Sequence, residues 1–198
     1  MSTFAATTDG RVLAHFDETE AQVLLSLSRQ FSDLLNDVTN PSALIDPAMR
    51  RLFPDAYRDD ASASDEFRRY TQQDLAIAKV NAAERVQLAL EGNLVPPIDE
   101  DLPDGRTALG LSIDDGWSWL RHLTDVRLTL AARMGVVDDP AAFDDDVDPD
   151  SLTEEELLTR SLFDWVGYVQ ELLVAALDDA IGARETDPPA SGSSSAGA

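Results

Sequence analysis

The chain has 198 residues, 43% of them apolar, no cysteine and a formal net charge of −23. That length and apolar share suit one globular domain with a buried core, and the missing thiol excludes a disulfide, a thiolate metal site and a cysteine nucleophile. The acidity opposes contact with nucleic-acid phosphates and anionic membrane surfaces, and favours a basic protein face.

No apolar run is long enough to span a membrane. The opening MSTFAATTDGR lacks the basic start and apolar centre of a secretory signal, so a cytoplasmic location is expected. Residues 3–16 hold Asp9-Gly10 between two segments of apolar and β-branched residues. Asp-Gly supplies the positive φ angles of a tight turn, which predicts a β-hairpin that must pack on other elements to be stable. Asp17 and Glu20 make a capping-box start for a first helix. Leu24, Leu27, Phe31, Leu34, Leu35 and Val38 form its apolar stripe, and Asn40-Pro41 ends it.

Pro41, Pro47 and Pro54 forbid a long helix through residues 41–61. Met49, Leu52, Phe53 and Tyr57 are expected to anchor that connector in the core. Ser62 and Asp65 are expected to cap a long helix that closes at Gly92. Phe67, Leu75, Ala78, Ala82 and Val86 mark one of its faces, and Tyr70, Ile77 and Leu88 a second, which predicts a central helix contacted from both sides. The alternation of Thr107, Leu109 and Leu111 permits a strand that joins the hairpin. Ser112 and Asp115 cap a helix carrying Trp117, Leu120, Leu123, Leu128, Leu130 and Met134, closed at Gly135. The last helix opens at Ser151 or Thr153, with Leu158, Leu162, Trp165, Val169, Leu172 and Ala176 as its stripe and Gly182 as its end. Gly167 inside it suggests a close helix crossing.

The expected fold is mainly α: an irregular bundle of about four long helices with a small N-terminal β-hairpin. The hairpin, 1–16, packs on a single helical domain, 17–182, and 183–198 form a disordered tail.

Candidate chemistry is sparse. Asp144, Asp146, Asp148, Asp150 and Glu155 match positions 1, 3, 5, 7 and 12 of a calcium loop, but Pro149 occupies the position that needs glycine. An acidic solvated loop leading into a helix cap explains the same residues. His15 and His122 are isolated in sequence and read as surface or cap residues. There is no nucleophile elbow and no phosphate-binding glycine motif. The stretch Asp46–Lys79 is distinctive, because it holds five of fourteen arginines (Arg50, Arg51, Arg58, Arg68, Arg69) and the only lysine, Lys79. Those arginines, like Arg127 and Arg133 near Asp125, either grip an acidic partner or an anion, or tie helices together in internal pairs. Trp117 and Trp119, two apart on one helix, cannot both face one core. One belongs to the core; the other is available to an interface, where tryptophan is enriched.

The blocks DPAMRRLFPDAYRDD, EFRRYTQQDLAIAK, WSWLRHLTDVRLTLAARMGV and LFDWVGYVQELLVAAL, in this order, resemble an actinobacterial family once catalogued only as a domain of unknown function, with members described as oxidative-stress regulators of the AosR type. The similarity runs over approximately residues 3–182. It implies a helical cytoplasmic regulator that acts through protein contact. In the relatives it implies an intramolecular disulfide, from cysteines spaced C-x-x-x-C, that promotes association with an alternative sigma factor and raises expression of cysteine-biosynthesis genes. This chain has no cysteine, so that thiol switch cannot operate here. Met1, Met49 and Met134 are oxidisable, but Met1 is terminal and the other two read as structural.

The expected function is therefore non-enzymatic regulation by protein–protein contact in a stress response, with a sigma factor or RNA polymerase component as partner. No cofactor, direct nucleic-acid contact or membrane contact is expected, and a homodimer is compatible. The partner-binding candidates are Arg50, Arg51, Arg58, Arg68, Arg69 and Trp119. The alternatives are a structural or adaptor protein that dimerises through an exposed Trp-bearing helix face, and a metal-binding protein.

Overall fold

The computed structural model describes residues 2–36, 45–57, 59–92, 106–135 and 152–186. Strands β1 (Thr3–Ala6) and β2 (Val12–Asp17) pair antiparallel, Phe4 opposite Ala14. In the turn between them only Gly10 takes a positive φ, at 71°, and the Gly10 N–H donates to the Thr7 carbonyl. The loop is thus an ordinary turn followed by one left-handed glycine, rather than a turn with positive φ at both Asp9 and Gly10. The hairpin gains the third strand that the alternation permits. β3 (Arg106–Leu111) lies antiparallel to β2, with Val12 opposite Leu111 and Asp17 opposite Arg106, giving the order β1-β2-β3. One face of this sheet, made by Phe4, Val12, Ala14, Phe16, Leu109 and Leu111, turns to the core.

Among the described residues there are four long helices and one short one: α1 (Glu18–Asn36), α2 (Pro47–Leu52), α3 (Ala61–Leu90), α4 (Ile113–Arg133) and α5 (Glu154–Thr186). Mainly helical architecture with a small antiparallel sheet is thus observed. Three of the local start signals are made as the sequence suggests. The Glu20 amide donates to Asp17 Oδ1 at 2.9 Å while the Asp17 amide donates to Glu20 Oε2 at 3.0 Å. Ser112 and Asp115 form a reciprocal box on α4. The Thr153 amide donates to Glu156 Oε2 at 2.8 Å on α5. α3 differs: its cap is Asp60, whose carboxylate accepts from the Ala63 amide at 3.0 Å, and Ser62 falls inside the first turn. Gly92 and Gly135 take the expected left-handed conformation after α3 and α4, whereas α5 runs through Gly182 to Thr186. Residues 183–186 therefore belong to that helix and not to a tail. Val38, Arg58 and the connectors at 93–105 and 136–151 lie outside the described residues, as do residues 187–198.

The central helix is α4 and not α3. α4 packs against α1, α2, α3, α5 and β3. Burial on α3 is concentrated in its second half and comes largely from alanines (Ala82, Ala83, Ala89) with Val86 and Leu90. Its second apolar face, Tyr70, Ile77 and Leu88, is exposed. Small side chains let α3 approach α1 and α4 closely, which turns its large apolar residues outward. Met49, Leu52 and Phe53 are buried as expected, but Tyr57 and Leu158 are exposed. α2 is fixed at its start: the N-cap Asp46 accepts from the Ala48 amide, and Arg133 grips the same carboxylate through two bonds of 3.1 and 2.8 Å.

Two glycines on α4 and α5 record how closely these helices approach. A Cβ on Gly167 would stand 3.2 Å from Arg127 Cζ, so the crossing suggested by this residue is real; the Arg127 guanidinium lies 4.3 Å from the Phe163 ring centroid. A Cβ on Gly116 would stand 2.6 Å from Leu177 Cδ2, and Leu177 is itself buried in the core. Gly116→Ala is expected to destabilise the fold by about 1 kcal/mol: overpacking costs about 1–3 kcal/mol, and the better helix propensity of alanine returns up to about 1. Chemical denaturation read by circular dichroism checks this, and an unchanged midpoint would contradict the close approach.

Candidate functional site

The candidate site is a groove between α3 and α4 with a volume of about 440 Å³. Leu75, Ala78, Lys79 and Ala82 line it from α3. Trp117, Leu120, Arg121, Thr124 and Asp125 line it from α4. The lining is mainly apolar with a few polar groups, which is the usual make-up of a recognition pocket. The α3 residues fall at positions i, i+3, i+4 and i+7, and Trp117, Leu120, Arg121 and Thr124 repeat that spacing on α4, so each helix gives one side of itself to the groove.

Inside the groove Lys79 Nζ donates to Asp125 Oδ1 at 2.5 Å. Burial pushes the Asp125 carboxyl above its ordinary range, and the Lys79 ammonium pulls against that shift. A charge pair held this far from water fixes how the two helices meet, because removing either partner leaves a buried charge. Arg85 and Asp115 pair at 3.0 Å nearby, on the same two helices. On the α5 side the Gln170 amide donates to Thr124 Oγ1 at 2.8 Å, and Arg121 Nη2 donates to Ser118 Oγ at 3.1 Å.

Of the sequence candidates, Trp119 is not on this surface. It is 1% exposed and stacks on Phe16 of β2, with ring centroids 6.0 Å apart. Its neighbour Trp117 is 44% exposed and lines the groove. The sequence separated one core from one interface tryptophan, and the structure assigns the roles the other way round. Trp119, Leu123 and Val126 share one buried side of α4, and position 117 lies well away from it. Arg50 and Arg51 stand in the last turn of α2, the first exposed and the second half-buried. Positions 68 and 69 lie in the first half of α3. The reading of internal pairing holds elsewhere: Arg133 is taken by Asp46, Arg29 by Glu91 and Arg85 by Asp115. Arg127 donates to Gln170 rather than to Asp125.

His122 is not a surface or cap residue. It is completely buried on α4, with Nε2 2.8 Å from Ser28 Oγ and its ring edge-on to Phe31. Burial lowers its pKa from 6.5 to about 4, so the ring is neutral at ordinary pH. A serine beside a histidine invites a catalytic reading, but both side chains are sealed from solvent and His122 Nδ1 has no hydrogen-bond partner to orient it. His15 is half-buried in β2. The carboxylates Asp144–Asp150 lie outside the described residues. Among the described residues no group of three or more His, Asp or Glu could hold a metal ion, and no helix is long and apolar enough to cross a membrane.

The molecule is thus a mainly helical protein, with a three-stranded sheet over one part of its core and an apolar, ion-paired groove between two helices. The chain belongs to the family described as domain of unknown function DUF2017, whose model matches residues 1–177. No curated protein and no solved structure matches it.

Proposed function

We propose that this chain is a non-enzymatic, cytoplasmic regulatory protein that acts by holding another protein in the α3–α4 groove. The observation that carries the reading is the groove itself: apolar walls, an exposed tryptophan on its lining and a Lys79–Asp125 pair between its helices. Exposed tryptophan beside aliphatic residues is the composition of an interaction hot spot. The resemblance to AosR-type regulators supports a sigma factor or another part of the transcription complex as the partner. The net charge of −23 supports a basic partner by steering its approach. With no cysteine, any response to oxidation reaches this protein by a route other than its own disulfide.

Affinity purification of the tagged full-length chain from oxidised and reduced host cells, followed by mass spectrometry, tests the reading. A sigma factor or polymerase subunit is expected in the eluate. Trp117→Ala should reduce its capture by about tenfold or more while changing stability by less than about 0.5 kcal/mol. If neither redox condition yields a transcription component, the proposal fails.

A further inference from the structure

Where α3 and α4 form the groove they run antiparallel, since Lys79 meets Asp125 while Arg85 meets Asp115. Trp117 therefore stands towards the Arg85–Asp115 end of the groove and Leu75 towards the other. At 1.5 Å per residue, Leu75 to Ala82 rises about 10 Å, and Trp117 to Asp125 about 12 Å. Nine residues line this trough, against about 20–30 on each side of a stable protein interface. A protein held here must reach well beyond it, whereas a small molecule fills it. Its volume of about 440 Å³ lies within the ordinary range of ligand pockets.

The polar groups on the lining set the chemistry of that molecule. Lys79 and Asp125 spend their charges on each other, and Arg85 takes up Asp115. Arg121 is different. It is exposed, its Nη2 donates to Ser118 Oγ, and among the described residues no carboxylate pairs with it. Arg29, Arg85 and Arg133 each hold one. The bond to Ser118 draws the Arg121 guanidinium back by one helical turn, to the Trp117 end of the groove. Its planar fork of N–H donors fits a carboxylate through two parallel bonds. From there an apolar floor and walls, Ala82, Leu120, Ala78 and Leu75, lead to the other end. The charge of −23 opposes an anion at long range. At physiological ionic strength charges more than about 8 Å away are largely screened, so Arg121 governs the contact.

From this geometry we infer that the groove binds a small apolar carboxylic acid, one carboxylate on an unbranched alkyl chain of medium length. The carboxylate lies on Arg121, and the chain runs between α3 and α4 towards Leu75. The site does not rest on the regulatory reading.

Isothermal titration calorimetry of the full-length chain with decanoate, decanol and decyltrimethylammonium tests it. Decanoate is expected to saturate at one molecule per chain and to bind about tenfold more tightly than decanol or the cation, the gain from a charge-assisted hydrogen bond. Arg121→Gln should weaken decanoate about tenfold and leave decanol unchanged. Ala78 is exposed, so Ala78→Phe should fill the groove and abolish binding of all three with an unchanged circular dichroism spectrum. No saturable heat from decanoate overturns the inference, and so does equal binding of decanoate and decanol. Decanoate binding that survives Arg121→Gln or Ala78→Phe undiminished also overturns it. Capture of a transcription component is read in a separate experiment, so either proposal can fail while the other stands.

Discussion

Trp119→Ala is expected to cost about 3–5 kcal/mol, the range for removing a fully buried large aromatic side chain. Trp119 is among the largest fully buried side chains, and its ring lies at 25° to that of Phe16 with centroids 6.0 Å apart. Phe16 in turn meets Phe4 edge-on at 5.6 Å, so the truncation opens a cavity beneath β1 and β2 together. For a chain of this size such a loss lowers the melting temperature by roughly 10 °C. Trp117→Ala, two residues away, serves as the control and should barely move it. Calorimetry on both variants decides the matter. Equal shifts would mean that the two rings have been assigned to the wrong environments.

The second large effect is a dependence on pH centred on His122. Burial disfavours the imidazolium, and the folded pKa falls from 6.5 to about 4. A group with a depressed folded value takes up its proton first in the unfolded chain. For a histidine this means that folded and unfolded states are alike above about pH 6.5, and that protonation draws the chain towards unfolding below it. The loss grows as pH falls from 6.5 to about 4 and then levels off. A difference of this size corresponds to about 3 kcal/mol at roughly 1.4 kcal/mol per unit. His122→Gln does not titrate and can still bond Ser28. Plotted against pH from about 7 to about 4, the stability of the wild type should therefore fall towards that of His122→Gln by about 3 kcal/mol. Carboxylates common to both proteins, including Asp125 one turn away, cancel in the difference. Parallel curves would show that His122 is hydrated or charged in the folded state.

What the sequence could reveal followed the range of each interaction. The caps of α1, α4 and α5 were legible because donor and acceptor lie three residues apart. The hairpin was legible from Asp9-Gly10, and β3 from its alternation. The two tryptophans were not assignable, because Phe16, far away in the chain, decides which of them is covered. α3 misled for a different reason. A helix that buries alanines and exposes Phe67, Leu75 and Ile77 inverts the rule by which large apolar residues mark the core. His122 misled because nothing local announces Ser28 and Phe31 as its surroundings. The groove depends on Lys79 meeting Asp125, 46 residues later. The sequence offered one hint of it, the chain's only lysine, and that residue stands at the groove.

The sheet order has a consequence for how the protein is made. β2, the middle strand, is synthesised near the start of the chain, but its second partner β3 comes only after α3. The ring that covers Phe16 belongs to α4 and comes later still. Throughout that interval on the ribosome Val12, Ala14 and Phe16 have neither their outer strand nor their lid. Pairing so distant in sequence is slow, and an unfinished apolar edge is open to the wrong partner. A nascent chain halted before residue 106 should therefore be held by chaperones, whereas one released after α4 has emerged carries all three strands and the ring that covers Phe16.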